Sequence, residues 1–125
     1  MKKQSFSSPR GPIPKFPYSQ AVIYGDLIFI SAQVPVDPAT GAAETGDVQA
    51  QTSRILTNVA DILEDAGSSI DNMLKVTVFL KDRSLFADFN AAYGKVFTEN
   101  MPARTPVFSD TGDYLVLMDF IAGIE

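Results

Sequence analysis

Apolar positions along the chain recur at two periods, and the switches between them divide it into elements. Ala21–Tyr24 and Leu27–Ser31 are rich in β-branched and aromatic residues, and Gly25-Asp26 between them supplies a two-residue hairpin turn. "DPATG" at 37–41 is a second turn, with Pro38 fixing φ and Gly41 free to take positive φ. From Asp47 to Ala66 the period lengthens: Val48, Thr52, Ile55, Val59, Ile62 and Ala66 form one stripe, widened by Leu56 and Leu63. Asp47 is the expected N-cap and Gly67 the residue past the end. "LKVTVFLKD" returns to alternation, with Leu74, Val76, Val78 and Leu80 expected on one face and Lys75, Thr77, Phe79 and Lys81 on the other.

A second helix is expected after Asp82, on the stripe Phe86, Phe89, Tyr93 and Val96 with Leu85 and Phe97 beside it. Pro102 forbids its continuation, so it ends by Asn100. Thr105–Ser109 predicts a short strand, "DTGD" a turn, and "YLVLMDFIAGI" a long apolar last strand holding one charge, Asp119. Residues 1–17 carry Pro9, Pro12, Pro14 and Pro17, and predict an extended N-terminal arm whose charges (Lys2, Lys3, Arg10, Lys15) read as solvation in preference to a binding patch. The order β-β-α-β-α-β-β predicts an α+β fold, one sheet with both helices on one face. The outward positions Phe79 and Phe120 are too apolar for water, which predicts that the bare face is covered by other subunits.

The chain has 125 residues, which suits a single domain, 1–125. Net charge is −5, which disfavours nucleic acid as the main partner. The first residues lack the apolar segment of a signal peptide, no stretch is long enough to span a membrane, and the expected location is cytoplasmic. Cysteine and histidine are both absent. That removes thiolate chemistry, the commonest metal ligands and the commonest neutral-pH base. No metal constellation and no phosphate-loop spacing is present, so neither a metal nor a nucleotide-binding loop is expected.

Chemistry is left to carboxylates, arginine, tyrosine, backbone groups and water. Arg104 lies between Pro102 and Pro106 in "NMPARTPVFSD". Local sequence admits two readings: an ordinary salt bridge, or a planar fork for a carboxylate on a stiffened backbone. Asp119, inside an apolar strand, is either the partner of a basic residue or a general base that orients water. Tyr18 is a half-buried packing residue or a cleft residue, and Asn90 a solvent-facing helix residue or part of a site.

Taken together, "PYSQAV" (17–22), "IFISAQVPVDPATG" (28–41), "VQAQTSRILTNVADILEDAGSSIDNMLKVTVFLKD" (48–82), "FADFNAAYGKVF" (86–97) and "PAR" (102–104) resemble, in order and spacing, the RidA family (YjgF/YER057c/UK114). The resemblance covers nearly the whole chain. It implies a chorismate-mutase-like α+β fold, a homotrimer whose sheets line a central barrel, and ligand sites in the clefts between subunits. It further implies hydrolysis of reactive 2-imino or enamine acids to 2-oxo acids and ammonia without a cofactor. In that reading Arg104 and Asp119 are catalytic, Arg104 holding the substrate carboxylate and Asp119 standing where the family usually has a water-activating glutamate. Tyr18, Ser31, Ala32, Asn90, Arg104 and Pro106 then bind substrate.

Three positions depart from the family's pattern. Ala32 stands in "SAQ" where the family has glycine. Asp119 is one methylene shorter than glutamate. Pro106 replaces a residue, often cysteine, whose N–H helps bind the carboxylate, and proline has no such donor. The departures leave two further readings open: a divergent deaminase or hydrolase of a catabolic pathway, and a non-catalytic, chaperone-like trimer that binds small carboxylates. Ribonuclease activity, also ascribed to some members of the family, is disfavoured by the missing histidine and the negative charge.

Overall fold

The computed structural model describes all 125 residues. Six strands form one mixed sheet: β1 (Gln4–Phe6), β2 (Ala21–Tyr24), β3 (Leu27–Gln33), β4 (Met73–Leu80), β5 (Ala103–Phe108) and β6 (Val116–Gly123). Their spatial order is β1-β2-β3-β6-β4-β5. Only β4 and β5 run parallel, and the helix between them makes that crossover. The two helices are α1 (Val48–Asp65) and α2 (Phe86–Val96). This is the expected α+β architecture, with element ends displaced by a few residues.

Alternation along the strands shows which face the helices cover. In β6, Val116, Met118, Phe120 and Ala122 are buried and the residues between them are not. They meet Ile28 and Ile30 of β3 and Val76, Val78 and Leu80 of β4, and Ile55, Leu56, Val59, Ile62 and Leu63 of α1 join the same core. Asp47 caps α1 by accepting from the Ala50 N–H at 2.9 Å, and Gly67 follows with φ +83°.

Four expectations are corrected. Phe120 does not face outward; it is 1% exposed under the helices, and Leu117, Asp119 and Ile121 take the open face. Parity explains this, because Phe120 is two residues from both Met118 and Ala122. Leu74 is 49% exposed, and Met73 is buried instead. A register shift between Met73 and Lys75 adds one residue to the strand and reverses its alternation at that point. Val96 at the end of α2 is exposed, while Phe97, just past the helix, turns into the core.

The fourth correction concerns the arm. Residues 4–6 pair antiparallel with β2, so the sheet gains an edge strand. The buried Gln20 amide then ties the arm down, accepting from the Ser8 N–H and donating to the carbonyls of Ser8 and Pro12. Gly11 passes so close to α1 that a Cβ there would lie 2.6 Å from the Ile62 side chain. Arg10 is not merely solvated. It donates to Asp61, Glu64 and Asp65 on α1, at 3.2, 3.0 and 2.8 Å.

Candidate functional site

β5 is an outer strand, and Arg104 stands on it in register with Val76 and, beyond that, Phe120. Those neighbours are buried beneath the helices, so the arginine side chain leaves the sheet on the helix side and meets α2. Its Nη1 donates to Asn90 Oδ1 at 2.8 Å. Its guanidinium carbon lies 4.9 Å from the ring centre of Tyr93 and 5.6 Å from those of Phe86 and Phe89. No carboxylate pairs with it; every ion pair in the chain belongs to Arg10. The salt-bridge reading therefore fails within one chain. Arg104 is a half-buried cation with one of its five N–H groups engaged.

Pro106 lies two residues further along the same strand, exposed. The Ser109 N–H donates to the Leu80 carbonyl at 2.9 Å, so backbone alternation turns Thr105 and Val107 toward β4 and Arg104 and Pro106 toward the open edge. Proline is tolerated there because the ladder needs no donor from it. The missing N–H is one that would have pointed into free space beside Arg104.

Asp119 is on the other side of the sheet. It pairs in register with Thr77, one residue out of phase with Arg104, and so stands on the face the helices leave open. It is half-buried, and its carboxylate has neither an ion pair nor a hydrogen bond within the chain. Ser31 and Ala32 join it around an open depression of about 370 Å³, with Val22, Phe29 and Ile121. The Ser31 hydroxyl donates to the Ser19 carbonyl at 2.7 Å, which commits its proton and leaves its lone pairs. Ala32 is exposed and its φ is not positive, so alanine costs no backbone strain; its methyl matters only for the space it fills.

Tyr18 is 49% exposed and borders a third region, a groove of about 560 Å³ between the N-terminal arm and the "DPATG" turn, with Phe16, Val36 and Tyr114. Within a single chain, then, the expected site residues fall into three groups. Arg104, Asn90 and Pro106 share the β5 edge, Ser31, Ala32 and Asp119 share the open sheet face, and Tyr18 stands apart. No three acidic side chains form a metal-ligating group.

The aromatic contacts of Arg104 were not expected from sequence. Phe86, Phe89 and Tyr93 read there as core, and Phe89 and Tyr93 are indeed buried. Their spacing with Asn90 (i, i+3, i+4, i+7) nevertheless puts all four on one stripe of α2, against the guanidinium. Burial pushes the Tyr93 phenol up to about 12, against the opposing pull of the Arg104 charge.

Comparison with known proteins agrees with this fold. The family description Endoribonuclease L-PSP matches residues 9–111. A RutC family protein of Pyrococcus abyssi is 42% identical over 98% of both chains, and one of Haemophilus influenzae is 41% identical over 86% of this chain and 85% of its own. Among solved structures, the YjgF gene product of E. coli superposes with a TM-score of 0.90 at 36% identity, covering 98% of this chain and 99% of that one. RidA from an Antarctic Psychrobacter superposes with a TM-score of 0.91 at 32% identity, covering 97% and 99%. With the family match, the identity to these relatives and the superposition in agreement, the chain belongs to the endoribonuclease L-PSP family, the RidA (YjgF/YER057c/UK114) family that its sequence resembles.

Proposed function

We propose that this protein hydrolyses small 2-imino acids, the tautomers of reactive enamines such as 2-aminoacrylate, to 2-oxo acids and ammonia, at sites shared between copies in a homotrimer. The observation that carries this reading is Arg104, a half-buried guanidinium with no acidic partner, held from behind by Asn90 and three rings, with free donors beside an open strand edge. A planar donor fork of this kind suits a carboxylate.

The chemistry asks little more. Water adds to the C=N carbon, its proton passes to nitrogen, the C–N bond breaks, and ammonia leaves as the carbonyl forms. Asp119, uncommitted on the open face, is the group to orient that water and relay its proton. It stands on the opposite side of its own sheet from Arg104, so one ligand meets both only if they come from different copies. Phe29, Leu117 and Ile121 supply an apolar open face for such packing. Imines hydrolyse readily in water, so fixing the carboxylate and one water accounts for a modest rate gain.

Pro106 favours a second reading, in which a carboxylate is bound without rapid turnover, because the strand edge beside Arg104 lacks a donor. RNA cleavage, the activity in the family's description, has less support: the chain has no histidine and a charge of −5. The test is ammonia release from enzymatically generated 2-aminoacrylate, with 2-oxobutanoate binding measured in parallel by calorimetry. Faster release that is lost in Arg104→Ala supports the deaminase. Binding without any acceleration supports the second reading, and neither effect refutes both.

A further inference from the structure

The stripe Phe86, Phe89, Asn90 and Tyr93 has a feature that core packing does not require. All four side chains, from two turns of one helix, converge on the single guanidinium of Arg104. Tyr93 is closest, at 4.9 Å, and is 6% exposed. Its ring is itself backed by Phe97 at 4.6 Å and flanked by Phe89 at 5.4 Å, so it has little freedom to move. Asn90 is neutral where an aspartate of the same shape would form an ion pair. The arrangement holds the arginine without neutralising it: aromatic faces attract the cation, one amide oxygen limits its rotation, and no acid occupies the fork.

We infer that Tyr93 is a positioning residue for anion recognition, its ring fixing the plane of the Arg104 guanidinium so that the free N–H groups present one preformed fork to a carboxylate. The inference rests on the proposed role of Arg104 as the carboxylate holder and names what prepares it. The ring performs this task, not the hydroxyl, whose oxygen is buried without a hydrogen-bond partner. Phenylalanine at 93 therefore preserves the function and leucine does not. Phe86, half-buried at the rim of the same stripe, contributes a weaker share.

The experiment combines nitrogen-15 NMR of the Arg104 Nε–Hε group with calorimetry of 2-oxobutanoate binding, on wild type, Tyr93→Phe, Tyr93→Leu, Phe86→Leu and Ile62→Val. Ile62→Val trims a fully buried α1 side chain that packs beside Gly11 of the arm, apart from the side chains around Arg104, and so reports what loss of packing alone does. In the free protein the Hε signal is expected to be shifted by the rings and slow to exchange. Tyr93→Leu should abolish the shift, and Tyr93→Phe and Ile62→Val should keep it. Affinity should fall roughly tenfold in Tyr93→Leu and about threefold in Phe86→Leu, and hold in Tyr93→Phe. Phe86→Leu, at a less buried site, keeps the test open if Tyr93→Leu does not fold. An Hε signal that is the same in Tyr93→Leu as in wild type (or in Phe86→Leu, where Tyr93→Leu does not fold) overturns the inference, as does an equal loss of affinity in Ile62→Val. The NMR comparison needs no ligand. A positive NMR result without 2-oxobutanoate binding would contradict the carboxylate role of Arg104 while leaving the positioning of its side chain established.

Discussion

At the scale of single residues, Arg104 and Asp119 stand out by what they lack. Neither has a charged partner in its own chain, although both are half-buried. A half-buried charge without a partner carries a desolvation cost that a ligand or another subunit can offset. Asp119→Asn is expected to lower kcat about 10²-fold with KM little changed, because it removes proton relay and spares the carboxylate contact. Steady-state kinetics on 2-aminoacrylate checks the split. Pro106→Cys restores an N–H at the strand edge. If that donor reaches the ligand, KM should fall about tenfold, the value of one hydrogen bond to a charged group; an unchanged KM means the edge donor plays no part. Arg104 became a candidate in the sequence only through the surrounding motifs, since two flanking prolines cannot tell a clamp from a connector. The bed beneath it was rightly read as core at Phe89 and Tyr93, but its contact with the guanidinium went unseen because aromatic residues at helical spacing satisfy both roles.

At the scale of elements, alternation foretold most of the sheet. It failed at β4, where a one-residue irregularity exchanged Leu74 for Met73, a shift that hydropathy alone does not encode. It also failed in the arm. The prolines there masked a short edge strand whose pairing depends on a buried glutamine fourteen residues further along, a contact between distant positions with no local signature. The arm is joined to α1 through Arg10. The hydrogen bond from Arg10, and after it that from Ser8, hold the Asp65 carboxyl below its ordinary value of 3.8. A depressed carboxylate stabilises the fold at all pH above that ordinary value, and the stabilisation is lost as pH falls through the lower folded value. Arg10→Ala should therefore lower stability at neutral pH, where this contribution is fully present, and move the acid-unfolding midpoint to higher pH, with the difference from wild type shrinking below the folded value, as followed by far-UV circular dichroism. Phe89→Ala, which empties the junction of α2 with the sheet, should cost about 3–5 kcal/mol in urea unfolding.

At the scale of the whole molecule, the helices cover one face of the sheet and leave the other with Phe29, Phe79, Leu117 and Ile121 at least partly open to solvent. The general expectation of a bare apolar face was sound, though Phe120 was placed on the wrong side of it. An Ile121→Asp substitution should dissociate an assembly built on that face, and sedimentation would show it as a smaller particle. Separation of the site into two groups on opposite faces makes the central claim testable without a bound ligand. Arg104→Ala and Asp119→Ala chains, each inactive alone, can be unfolded, mixed in equal amounts and refolded. If one copy supplies Arg104 and a different copy Asp119, random assembly gives intact sites at about one in four positions, and about a quarter of wild-type 2-aminoacrylate hydrolysis should return. No recovery in a mixture shown to contain hetero-oligomers would contradict the shared site.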